Sequence, residues 1–81
     1  MPDDLVLGYR LYEFFASRGY AKSYEEFGKV ALKPGEGFEI GYLPVVIYYN
    51  QPYPKRCLEL TLKKEGFTLT DFEEWADGQG H

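Results

Sequence analysis

The sequence predicts an α+β domain with two N-terminal helices, a small antiparallel sheet of two to three strands built around a long hairpin, and a short C-terminal helix. Three observations carry this. Apolar residues recur at helical spacing up to about residue 32 and again after residue 69, whereas between about residues 38 and 63 the period shortens to two. Pro- and Gly-containing breaks at Lys33-Pro34-Gly35, Asn50 to Pro54 and Lys64-Glu65-Gly66 separate these segments. Helices and strands come in blocks rather than in βαβ alternation. With 81 residues the whole chain, 1–81, reads as one domain, and a domain this small buries only about 60% of its extended-chain surface.

The first helix is expected over about 4–18, capped by Asp3 or Asp4. Arg10, Glu13 and Ser17 form one narrow polar stripe. Leu5, Leu7, Tyr9, Leu11, Tyr12, Phe14 and Phe15 occupy the rest, so this helix needs cover on two sides and should lie at the centre of the core. Gly19 suits the left-handed position past its end, returning Tyr20 against Phe15. Ser23-Tyr24-Glu25-Glu26 has capping-box spacing and predicts a second helix over about 24–32, burying Phe27, Val30 and Ala31 and stopped by Pro34.

Strands are expected at about 38–42, 45–49 and 56–63. Leu43-Pro44 leaves open whether 38–49 is one bent strand or two. In the last strand Leu58, Leu60 and Leu62 would face the core, with Cys57, Glu59 and Thr61 opposite, and Asn50 to Lys55 would close the hairpin. A final helix is expected over about 70–77. Thr70 with Glu73 would start it, or Thr68 with a Phe67–Phe72 staple. Phe72, Trp75 and Ala76 form its buried face, Gly78 ends it, and residues 78–81 form a mobile tail.

Composition favours adhesion over chemistry. The chain holds eight Tyr, six Phe and one Trp, but a single His and a single Cys. His81 lies on a Gly-rich tail where nothing fixes its geometry, and the acid pairs Glu25/Glu26 and Glu73/Glu74 sit in helical first turns, where the dipole alone favours them. Cys57 lacks a His, Asn or second Cys to complete a constellation, and matches neither a disulfide nor a zinc pattern. Gly35-Glu36-Gly37 lacks the Walker Lys and carries an acid that repels phosphate. No catalytic residue, metal ligand or cofactor is therefore expected. A lone Cys fits a reducing, cytoplasmic compartment, and no apolar run approaches membrane-spanning length.

Net charge is −4. Residues 1–69 are balanced, and Asp71, Glu73, Glu74 and Asp77 supply the whole excess. This balance, with Glu25 and Glu26 at the front of the second helix, argues against duplex DNA as a partner. The segment with the strongest claim to function is Tyr48 to Arg56. Tyr48, Tyr49 and Tyr53 offer large amphipathic area with few torsions to freeze, and Pro52 and Pro54 stiffen the turn. Lys55 and Arg56 follow, and Arg joins Tyr among frequent interface anchors.

The expected function is a non-enzymatic protein-binding module. It would be an inhibitor, adaptor or regulatory subunit occluding a surface of a larger protein whose identity the sequence does not specify. Asp71, Glu73, Glu74 and Asp77 would steer it to a basic face, and a nucleic-acid-processing enzyme offers one. Single-stranded nucleic acid stacked on the tyrosines is the alternative partner, and a second copy of the chain is another. The competing structural role for these tyrosines is simply to cover the sheet edge.

Overall fold

The structure, a computed structural model, describes residues 5–34 and 44–79. Within them the chain runs β1 (Val6–Leu7), α1 (Gly8–Ser17), β2 (Tyr20–Glu26), β3 (Lys29–Pro34), β4 (Val45–Tyr48), β5 (Pro52–Tyr53), α2 (Lys55–Lys64) and α3 (Leu69–Gln79). The class is α+β, with three helices and antiparallel sheets, as expected. The order of elements differs from expectation, because one helix and one strand exchange identities.

Helix α1 is the central helix. Leu11, Phe14 and Phe15 are fully buried, and they meet Val30 and Leu32 of β3, Val45 and Ile47 of β4, Leu58 and Leu62 of α2, and Phe72 of α3. Phe14 is the hub: its ring lies 5.2–5.6 Å from Phe15, Phe67, Phe72 and Trp75 in edge-on geometry. Such pairs contribute about 0.5–1.5 kcal/mol each beyond area burial. Gly19 (φ 91°) takes the left-handed position past the helix, and Tyr20 returns to 4.9 Å from the Phe15 ring. The helix starts at Gly8, later than expected, with Leu7 at the N-cap and no side-chain cap. Backbone carbonyls replace that cap: Gly8 N–H donates to Gln51 O and Tyr9 N–H to Tyr49 O, each at 2.9 Å. Asp3 and Asp4, the expected caps, lie outside the described residues.

The expected second helix is instead the β2–β3 hairpin. Glu26 pairs with Lys29 across a two-residue turn, Phe27-Gly28, whose central residues both have positive φ (50° and 80°), as a type I′ turn requires. The Ser23 capping box does not form; Ser23 sits at the register shift between Lys22 and Tyr24. Val30 and Ala31 are buried as expected, but Phe27 is 95% exposed. Strand β3 is central in the three-stranded antiparallel sheet β2-β3-β4.

The expected strand 56–63 is helix α2. Its leucines alternate, but Leu58 and Leu62, four residues apart, are buried while Leu60 is 61% exposed. Pro54 takes the N-cap position, and Lys63 and Lys64 complement the dipole at the C-terminal end. A Schellman motif stops the helix: Phe67 N–H donates to Leu62 O at 2.9 Å and Gly66 N–H to Lys63 O at 3.0 Å, with Gly66 at φ 88°. The long hairpin closed by residues 50–55 is accordingly absent. Strand β4 ends at Tyr48, and β5 pairs with β1 as a separate two-stranded ladder.

The alternative start holds for α3. Thr68 and Asp71 form the capping box: Asp71 N–H donates to Thr68 Oγ1 at 3.1 Å, and Thr68 N–H to Asp71 Oδ2 at 2.9 Å. The helix continues past Gly78 to Gln79. The expected strand at 38–42, the question of a bend within 38–49, and His81 lie outside the described residues.

Candidate protein-binding surface

Strand pairing sorts the sheet residues onto two faces. Val30, Leu32, Val45 and Ile47 point at α1. On the opposite face Tyr24 pairs with Ala31 and Ala31 with Val46, while Lys29 pairs with both Glu26 and Tyr48. Ala31 is buried between its neighbours. Tyr24, Val46 and Tyr48 remain 49%, 45% and 40% exposed, so among the described residues no element covers them. The Lys29 ammonium lies 5.9 Å from the Tyr48 ring centre, and the Tyr24 hydroxyl donates to Glu26 Oε1 at 3.0 Å. Phe27 projects from the end of this face at the hairpin tip.

The tyrosine segment expected to form a free binding loop is largely occupied with the fold. The carbonyls of Tyr49 and Gln51 cap α1. The Tyr49 ring packs edge-on to Tyr12 at 5.4 Å and Tyr9 at 6.0 Å. Tyr53 is half-buried, and its hydroxyl accepts the Tyr48 N–H at 3.0 Å. Of the three, Tyr48 alone is exposed, and it belongs to the outer sheet face. Lys55 and Arg56 are exposed in the first turn of α2, beside the exposed thiol of Cys57. Glu73, Glu74 and Asp77 are exposed on α3, whereas the Asp71 carboxylate is taken by its cap.

On the α1 side of the sheet edge, Lys22 and Glu25 form an ion pair at 3.0 Å beside Tyr12 and Tyr49. The hydrogen bond from Lys22 holds the Glu25 carboxyl below its usual range, with smaller help from its charge and from the Tyr49 hydroxyl against some burial. Burial, then the nearby Glu25 charge, pushes the Tyr49 hydroxyl up. This cluster fastens β2 to the Tyr49 turn. Among the described residues no group of three or more His, Cys, Asp or Glu is placed to hold a metal ion, and no helix is long and apolar enough to cross a membrane.

The members of this surface that sequence reasoning missed include Tyr24, Phe27 and Val46, with Glu26 and Lys29 beside them. The signal was present: Tyr24-Glu25-Glu26 and Lys29-Val30-Ala31-Leu32 flank a Phe-Gly pair at hairpin spacing. Phe is an unusual first residue for such a turn, so the pair did not read as one. Comparison with protein families, curated proteins and solved structures finds no match for the chain.

Proposed function

We propose that this protein is a non-enzymatic binding module that acts by occupying a surface of a larger protein, with the outer face of β2-β3-β4 as its contact. The carrying observation is that Tyr24, Val46 and Tyr48 stay 40–49% exposed side by side on one face. A chain of this size has little apolar surface to spare, and contiguous apolar area of this kind is commonest at interaction sites. The cluster combines two tyrosines with an aliphatic centre and a charged rim of Glu26, Lys29 and Lys33, the composition of an interface core with its polar border. The exposed acids Glu73, Glu74 and Asp77 on α3 add approach steering toward a basic partner.

The test is capture from host-cell extract by wild type and by a Tyr24→Ser, Val46→Asp double variant, each first shown to be folded by circular dichroism. Loss of the retained protein by at least tenfold supports the proposal. Equal capture by the folded double variant removes this face from consideration.

Single-stranded nucleic acid is a second reading with its own observation. Lys29, Ala31 and Lys33 share the face with Tyr24 and Tyr48, so cations and stackable rings stand together. Labelled oligo(dT) and oligo(U), titrated by anisotropy at 50 and 200 mM salt, decide it. Salt-sensitive binding lost in the double variant would establish this reading, and absence of binding at low salt would end it.

A further inference from the structure

Phe27 is the residue whose presence folding explains least. At 95% exposure its ring contributes almost nothing to the core. Its backbone is held at φ 50°, a region that is a true outlier for a bulky side chain. Asn, Asp or Gly would satisfy the first position of this turn without strain. Burial and backbone preference thus both oppose Phe here, and the conformation persists because the strand pairing on either side dictates it. Strain of this kind at an exposed tip points to a functional demand on the side chain.

The charges around the tip narrow what it meets. Glu25 is neutralised by Lys22 at 3.0 Å, and Lys29 rests over the Tyr48 ring. Among the described residues Glu26 accepts only the Tyr24 hydroxyl. The four charges flanking the turn, Lys22, Glu25, Glu26 and Lys29, sum to zero on a chain of net charge −4, and Glu26 is the carboxylate that no ion pair occupies among the described residues. An anionic membrane surface does not attract such a tip; a protein pocket with an apolar floor and a cation on its rim does.

We propose that Phe27 is the anchor of the interaction, inserting into a Phe-sized apolar pocket of the partner protein while Glu26 pairs with a basic residue at the pocket's edge. This deepens the binding-module reading and rests on it. The strained backbone presents the ring in one fixed direction, so little freedom is lost on docking.

The experiment compares wild type, Phe27→Asn, Phe27→Leu and Glu26→Gln. Thermal melts come first, then capture from host-cell extract. The retained protein is identified and purified, and its affinity for each variant is measured by calorimetry. Phe27→Asn should raise Tm by about 5 °C by relieving the left-handed strain, yet weaken binding at least a hundredfold. Phe27→Leu should keep most of the affinity, and Glu26→Gln should lose about tenfold of it together with part of its salt dependence. Phe27→Asn that binds as well as wild type overturns the anchor while leaving the sheet-face module standing, provided the Tyr24→Ser, Val46→Asp variant fails to bind. A Phe27→Asn protein no more stable than wild type overturns the premise of strain. Phe27-dependent binding to phosphatidylcholine–phosphatidylglycerol vesicles would make lipid the occupant and defeat the proposal, and no capture by wild type would defeat both readings.

Discussion

Substituting Gly8 by Ala sets two effects against each other at the joint between α1 and the tyrosine turn. A Cβ at Gly8 would lie 1.9 Å from the Tyr48 carbonyl oxygen, 2.8 Å from its carbon and 3.0 Å from Tyr53 Cε1. The obstacle is backbone held in β4, so it cannot swing aside as a side-chain end would. Relief requires the front of α1 to move away by more than 1 Å, roughly the gap between 1.9 Å and ordinary contact. That movement breaks or stretches the Gly8 N–H to Gln51 O and Tyr9 N–H to Tyr49 O bonds, worth about 1 kcal/mol each. Overpacking strain adds about 1–3 kcal/mol. Helix propensity acts the other way, favouring Ala by up to about 1 kcal/mol. The net expectation is a loss of about 2–4 kcal/mol, a large share of the roughly 4–12 kcal/mol available to a chain of this size. Thermal and urea unfolding followed by circular dichroism should show Tm lower by about 10–25 °C. The matched control is Gly78→Ala, where a Cβ meets nothing within 4 Å; there propensity alone acts, and stability should rise slightly. A Gly8→Ala protein as stable as wild type would refute the packing of α1 against the Tyr48–Tyr53 segment.

Two further outcomes follow from the same structure. Leu58→Ala should cost about 2–5 kcal/mol and Leu60→Ala less than about 0.5 kcal/mol in urea unfolding, because one side chain is 2% and the other 61% exposed; similar losses at both would restore the alternating strand. The carboxyl of Glu25 should titrate below the ordinary glutamate value of about 4.3 by NMR. Its folded pKa is depressed, so the stabilisation is present above that ordinary value and is lost as pH falls through the folded pKa. Lys22→Met should return the titration to the ordinary range.

What the sequence showed best were elements whose local signals agree with their tertiary surroundings. The polar stripe Arg10, Glu13, Ser17 marks the outer side of α1, and Gly19 with Tyr20 marks its end, because cap geometry and core packing favour the same residues. The start of α3 was half legible: Thr68 was one of two candidates beside Thr70, and the Phe67 and Phe72 rings that both pack on Phe14 go with the Thr68 start. Helix α2 was obscured because three leucines two apart fit a strand at every position. A helix buries only the pair four apart, and no local signal reveals that Leu60 is surplus to the core. The start of α1 was hidden differently: its cap comes from carbonyls forty or more residues away in sequence, and no cap residue marks the position.

The candidate site was only partly legible. The tyrosine segment stood out, but its rings and carbonyls are largely consumed in holding α1, and Tyr48 is what it leaves on the outer sheet face. The rest of that face was missed together with the β2–β3 hairpin, and both omissions share one cause, Phe27. With Asn at that position, Asn-Gly between the Tyr24-Glu25-Glu26 and Lys29-Val30-Ala31-Leu32 segments would have signalled a hairpin and placed Tyr24 beside Ala31. A left-handed residue costs about 1–2 kcal/mol, a sizeable share of the stability of a chain this small. Local rules are broken most often where function demands it. The residue that misdirects a sequence-based assignment of this fold is therefore the same residue that the structure leaves strained, exposed and without a folding role. One substitution, Phe27→Asn, separates the two demands: it should improve the hairpin and remove the contact for which the strain is retained.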